Sequence, residues 1–191
     1  MAIKLCLVSP MGGGKDTMAK ILIDEFGFTR MAYADELRRI ANELYPQQMT
    51  EHPRETLQWL GATMRELDKD VWINRLDSKM KEYSAKYVLQ YGTEPNIVIT
   101  DCRYPNELEH LKSIGFTVVQ ILVPYWVLVR RNQHRKDRVF NLEQLEHESE
   151  AMALTERVGD IYLYNSGTME EFVDSIRVLM KGGIINERWY V

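Results

Sequence analysis

The stretch IKLCLVSPMGGGKDT, Ile3 to Thr17, runs from an apolar segment into a glycine-rich turn and a lysine. Ile3 to Ser9 reads as a strand buried on both faces, since its apolar run is broken by a single lysine. Gly12, Gly13 and Gly14 let the backbone turn tightly and aim N–H groups at an anion. A helix starting near Lys15 adds its positive end, and Lys15 itself is a point charge for terminal phosphate oxygens. The spelling departs twice from G-x-x-x-x-G-K-[ST]. Ser9 stands at the first glycine, and Asp16, followed by Thr17, replaces the hydroxyl that would hold magnesium. Strand, glycine loop and helix in that order favour phosphate binding over a plain glycine turn.

Working outward, four more segments read as strands: Phe28 to Tyr33, Asn96 to Asp101, Thr117 to Pro124 and Asp160 to Asn165. Helical patterns lie between them. Lys15 to Phe26 is stopped by Gly27, Asn106 can cap a helix from Glu107 to Ile114, and Thr168 to Glu171 spells a capping box before a helix to Lys181. Alternating strands and helices imply an α/β sheet with right-handed crossovers. Two connections are too long for simple crossovers. Residues 35–94 read as helices from Asp35 to Tyr45, Pro53 to Leu67 and Asp70 to Tyr83. The second, Tyr125 to Gly159, carries the basic run Arg130 to Arg138.

The bulk properties narrow the function classes. The 191 residues suit one domain with insertions, 45% apolar residues can fill a core, and a net charge of −4 argues against nucleic-acid binding by overall electrostatics. No apolar run is long enough to span a bilayer, and Ile3 to Val8 is too short for a signal peptide, so a cytoplasmic protein is expected. Cys6 and Cys102 cannot form a four-thiolate zinc site and read as reduced, buried thiols.

Six pieces of the chain, in order, carry a family resemblance: Gly14-Lys15-Asp16-Thr17; Tyr33-Ala34-Asp35 with Leu37-Arg38; Arg54 through Gln58 and Gly61 to Arg65; Asp68 to Ile73; Asp101 through Arg103 and Asn106 to Glu107; and His147 to Glu150. Together they resemble the deoxynucleoside monophosphate kinases of phage and bacterial type, within the P-loop nucleotide kinases. The resemblance implies a P-loop NTPase fold. Its central, mostly parallel five-stranded sheet would be flanked by helices, with a helical acceptor-binding insertion at 35–94 and a lid at 125–150.

Asp101 closes a buried strand at the carboxyl edge of the sheet, where it can hold magnesium-bound water or merely cap the next turn. Asp16 can touch the same metal's water or cap its helix. Arg103 can face an acceptor phosphate or pair with Glu107. Arg65 follows Gly61 and Thr63 on a polar face, and bidentate arginines suit a monophosphate. Arg38 is assigned to the acceptor from the resemblance. Asp35 can bind the acceptor's sugar or base, or cap its helix, and Gln58 can read a base edge or lie on the surface. Trp59 and Trp72 are expected in the core. By the resemblance, Arg130, Arg131 and Arg138 are lid arginines that neutralise the moving phosphoryl group, with His147 and Glu150 positioning the acceptor or bracing the lid.

The expected activity is ATP- and Mg²⁺-dependent phosphorylation of a (deoxy)nucleoside monophosphate to the diphosphate. Small nucleotides would be the partners, with no nucleic acid or membrane, and a homodimer is compatible. Two rivals remain at this stage: a P-loop kinase for another phosphorylated acceptor (of phosphomevalonate or dephospho-coenzyme A type) and a non-catalytic nucleotide-binding protein.

Overall fold

The computed structural model describes residues 2–133 and 157–182. Its sheet has the order β2-β3-β1-β4-β5. The strands are β1 (Lys4–Val8), β2 (Thr29–Met31), β3 (Ile97–Ile99), β4 (Thr117–Leu122) and β5 (Ile161–Tyr164). The β1–β3, β1–β4 and β4–β5 ladders are parallel. Leu5 to Val8 of β1 are fully buried, as a strand covered on both faces requires. Alternation sends Leu5 and Leu7 into one cluster with Val119 and Ile121 of β4. Met18, Ile21 and Leu22 of α1 (Lys15–Phe26) and Phe172 and Ile176 of α8 (Met169–Lys181) complete that layer. In this order the connection leaving β1 runs to β2 on one side of the sheet, and the connection leaving β3 runs to β4 on the other. In α/β folds ligands bind at such a crossing point, beyond the carboxyl ends of the strands.

The chain divides into two compact units. One comprises Ala2 and residues 31–95; the other comprises residues 3–30 and the described residues from Asn96 onward. In the first unit, α2 (Tyr33–Leu44), α3 (Pro46–Glu51), α4 (Pro53–Leu67) and α5 (Val71–Tyr91) pack on one another. Helix α5 runs two turns beyond the expected Tyr83. Its buried residues end at Met80, so the apolar period fades there, and the continuation carries a ladder of Tyr83, Tyr87 and Tyr91 at i,i+4 spacing. Trp72 is buried as expected. Trp59 corrects the core expectation: it is 53% exposed and meets the ring of Tyr45 edge-on.

In the second unit, α6 (Pro105–Ser113) and α7 (Tyr125–Gln133) follow β3 and β4. Asn106 is not the cap of α6. The helix starts two residues earlier, with Tyr104 as N-cap, Pro105 in the first position and Glu107 completing the box. The buried Glu107 carboxylate accepts the backbone N–H groups of Arg103 and Tyr104. The Thr168–Glu171 capping box forms as expected. The buried amide of Gln120 on β4 accepts the N–H groups of Val158 and Gly159, fixing the chain just ahead of β5. Cys6 and Cys102 are both buried and reduced. The Cys102 thiol is pushed well above its ordinary value by its hydrogen bond with Cys6 and by burial.

Helices α1 and α8 are also joined on the surface, where Arg177 donates two hydrogen bonds to Glu25, at 2.9 and 2.7 Å. The Arg177 guanidinium holds the Glu25 carboxyl below its ordinary value. A depressed carboxylate stabilises the fold fully above its unfolded value, about 4.3 for glutamate, and loses that contribution as pH falls through the folded value. Glu25→Gln should therefore melt slightly below wild type at pH 7, and the gap should close as the melt is repeated at progressively lower pH below about 4.

Candidate phosphate-binding site

The loop between β1 and α1 is shaped by close contacts on its inner side. Gly13 donates its N–H to the Pro10 carbonyl at 2.9 Å, and Met18 donates to Gly14 at 3.0 Å as the first turn of α1. A Cβ at Gly13 would lie 1.8 Å from Ser9 Oγ, and one at Gly14 would lie 2.6 Å from Asn165 Nδ2 and 2.9 Å from Phe172. Gly14 is also left-handed, at φ 109°. Ser9 is therefore not a neutral departure from the motif. Its buried hydroxyl fills the space that the missing Gly13 side chain leaves, so the two positions are coupled. Lys15 Nζ donates to the Ser9 carbonyl at 2.6 Å, which ties the ammonium to the start of the loop.

Asp16 lies exposed in the first turn of α1, and Gly14 rather than Asp16 is the N-cap residue. Its charge is favourable beside the positive helix end. Thr17 is half-buried one residue on. Asp101, half-buried, lies two residues beyond β3; extending the β1–β3 register sets it level with Val8, just before the loop. Arg103 is exposed on the segment that Glu107 orders. Among the described residues, no three His, Cys, Asp or Glu side chains gather as a metal cage. Asp16 and Asp101 are oxygen donors, the kind magnesium takes while it keeps water and phosphate ligands.

Arg130 and Arg131 close α7, Arg130 exposed and Arg131 half-buried. Arg131 Nη2 donates to Asn165 Oδ1 at 3.0 Å, and Asn165 Nδ2 donates to the Gly13 carbonyl at 2.9 Å. One side chain thus joins an expected lid arginine to the phosphate loop. Burial lowers the Arg131 guanidinium from its ordinary value, yet an arginine stays charged in a protein. Both arginines, with Val127, Ser166 and Gly167, line a pocket beside this chain of bonds.

Of the residues expected to meet the acceptor, those in the helical unit are described within it. Asp35 and Arg38 form an i,i+3 pair at 3.6 Å on α2. Gln58, Gly61 and Arg65 fall on one stripe of α4; Gln58 is exposed, while Arg65 is half-buried and donates to the Gly61 carbonyl at 3.3 Å. The Trp72 indole donates to the same carbonyl at 3.3 Å. Arg138, His147 and Glu150 lie outside the described residues.

Asn165 is the residue that the sequence reading missed. It is buried itself, directly follows the half-buried edge strand β5 and precedes Ser166-Gly167, and a polar residue at the end of that strand is the signal that was available.

No protein-family model matches the chain. By structure it is similar to a shikimate kinase from Acinetobacter baumannii (16% identity, 97% of each chain, TM-score 0.58) and to a sugar kinase from Janibacter sp. (18% identity, 94% of each chain, TM-score 0.58). The chain has the P-loop kinase fold. By sequence the chain is similar to a protein of Acanthamoeba polyphaga mimivirus named "Putative deoxynucleotide monophosphate kinase". The two are 27% identical over 90% of this chain and 94% of that protein. The resemblance read from the motifs is thus matched by a curated relative of the same description.

The contact between Ser9 and Gly13 predicts a linked effect. Gly13→Ala should destabilise the protein by about 1–3 kcal/mol, as overpacking does, and weaken whatever nucleotide binding the wild type shows on titration. Ser9→Gly combined with Gly13→Ala should recover part of both losses, read by denaturant unfolding and nucleotide titration.

Proposed function

We propose that this chain transfers the γ-phosphoryl group of ATP to a deoxynucleoside or nucleoside monophosphate, releasing ADP and the nucleoside diphosphate. The observation that carries the reading is the loop Gly12 to Lys15 at the start of α1, with Arg131 tethered to it through Asn165. Backbone N–H groups, a helix N-terminus, an ammonium and a guanidinium converge on one strand edge, as a polyphosphate requires. The named relative supports a nucleotide acceptor, and the motif order from Asp35 to Glu150 supports it independently.

In this mechanism an oxygen of the acceptor phosphate attacks the γ-phosphorus while the bond to the ADP oxygen breaks. The attacking oxygen is already ionised near neutral pH, so positioning and charge neutralisation supply the catalysis. The loop amides and Lys15 hold the donor phosphates, with Thr17 beside them. Arg130, Arg131 and Arg138 neutralise the moving group and help exclude water from a lid spanning 125–150. Asp35, Arg38, Gln58 and Arg65, from the insertion at 35–94, take the acceptor together with Arg103, His147 and Glu150. Asp101 and Asp16 are the residues that would hold magnesium through its waters; when bound, the ion offsets charge on the β- and γ-phosphate oxygens.

The test is coupled ATP turnover against each nucleoside and deoxynucleoside monophosphate, with other phosphorylated small molecules as comparison. Turnover of at least one monophosphate is expected, and folded protein that turns over none sinks the proposal. Lys15→Ala should lower kcat by roughly a hundredfold or more while leaving the nucleotide-free melting temperature unchanged. Full activity in that variant would remove the loop from the mechanism.

A further inference from the structure

The chain of bonds through Asn165 fixes more than a contact. Its side chain is buried at 5% exposure, and both of its polar ends are used. The partners determine which end is which: a guanidinium can only donate, so the oxygen faces Arg131, and a carbonyl can only accept, so the nitrogen faces Gly13. Its backbone N–H also continues the β4–β5 ladder by donating to the Leu122 carbonyl at 2.9 Å, so the side chain is held by the sheet itself.

The Gly13 carbonyl belongs to the peptide plane that carries the Gly14 N–H. In a planar trans peptide these two groups point in opposite directions. Holding the carbonyl against Asn165 therefore fixes the direction of the Gly14 N–H, one of the donors of an anion-binding loop. The missing Cβ at Gly14 is what lets the Asn165 amide approach, since that atom would stand 2.6 Å from Nδ2. At its other end the same amide takes one donor of Arg131. A guanidinium has five, in a rigid fork, so this bond orients the fork.

We propose that Asn165 is a positioning residue for phosphoryl transfer, its buried amide setting the Gly14 N–H of the phosphate loop and the Arg131 guanidinium in one fixed relation before nucleotide binds. The proposal rests on the phosphoryl-transfer reading for its effect on turnover, but its effect on nucleotide binding can be measured without any acceptor. Asn165 touches no reacting atom and acts through the loop and the arginine.

The experiment titrates Mg·ATP into wild type, Asn165→Ala, Asn165→Asp, Arg131→Ala and the Asn165→Ala/Arg131→Ala double variant, and follows with kcat and KM on any acceptor the wild type uses. Asn165→Asp keeps the shape and the acceptor for Arg131 but removes the donor to Gly13, so it separates the two arms and guards against simple misfolding. Asn165→Ala and Asn165→Asp should each weaken Mg·ATP binding about tenfold or more, both having lost the hydrogen bond to the Gly13 carbonyl, and lower kcat with the acceptor KM unchanged. The double variant should be no worse than the weaker-binding single variant, because both act on one network. Binding within twofold of wild type in Asn165→Asp, or losses that simply multiply in the double variant, would overturn the proposal. Wild type that binds Mg·ATP yet phosphorylates no acceptor sinks the kinase reading alone, and the binding comparison still decides the role of Asn165.

Discussion

The inner turns of the phosphate loop tolerate no side chain, and the rest of the second unit is arranged around that constraint. Gly13 is closed in by Ser9 and the Pro10 carbonyl, Gly14 by Asn165 and Phe172. Two of these four neighbours come from the end of the chain, beyond β5, while the loop lies near its start. The short local spelling makes the turn possible, but β5 and α8 give it its shape. A loop of three glycines has large conformational freedom to lose, and close packing against a finished sheet is what offsets that loss. The shape of the loop is thus a product of the folded unit, not a property carried by residues 9–17 alone.

The charge distribution follows the same logic. The chain carries a net charge of −4, yet Lys15, Arg130, Arg131 and the start of α1 collect positive potential at one edge of the sheet. A local cluster of this kind can favour an anion even where the chain's overall charge does not. The Arg131 side chain is half-buried and partnered, which limits its freedom beforehand. Less ordering is then left to be done when a ligand arrives.

What could be read from the sequence was what is written locally. Helix α1 and helix α4 match their expected bounds because Gly27 and Pro53 mark an end and a start by backbone chemistry alone. The same logic, had it been applied to Pro105, would have placed α6 two residues earlier than a cap at Asn106 does. Helix α3 also opens on a proline, Pro46, but its six residues bury none of their side chains, so no apolar period reveals it. Trp59 misled because ring size suggests a core position, whereas its neighbours on α4 leave it on the surface against Tyr45. The strand, glycine turn and helix from Lys4 to Phe26 were legible from spelling and order. The tie from Arg131 through Asn165 to Gly13 was not, since it joins residues 34 and 152 positions apart and no local pattern encodes that distance. The same holds for Ser9, whose fit to Gly13 is a matter of tenths of an ångström in a folded turn.

The two cysteines draw a last consequence from the sheet. Cys6 lies in the fully buried central strand, and Cys102 follows β3 and shares a hydrogen bond with it. A thiol reacts as its thiolate, and here both burial and the neighbouring sulfur oppose forming that anion on Cys102. Alkylation and oxidation are therefore closed to the native state, and a reagent reaches these sulfurs only when β1 and the segment after β3 come apart. Thiol chemistry in this protein reports the opening of its central strand, and it runs at the opening rate itself when the reagent captures the sulfurs faster than the strand recloses.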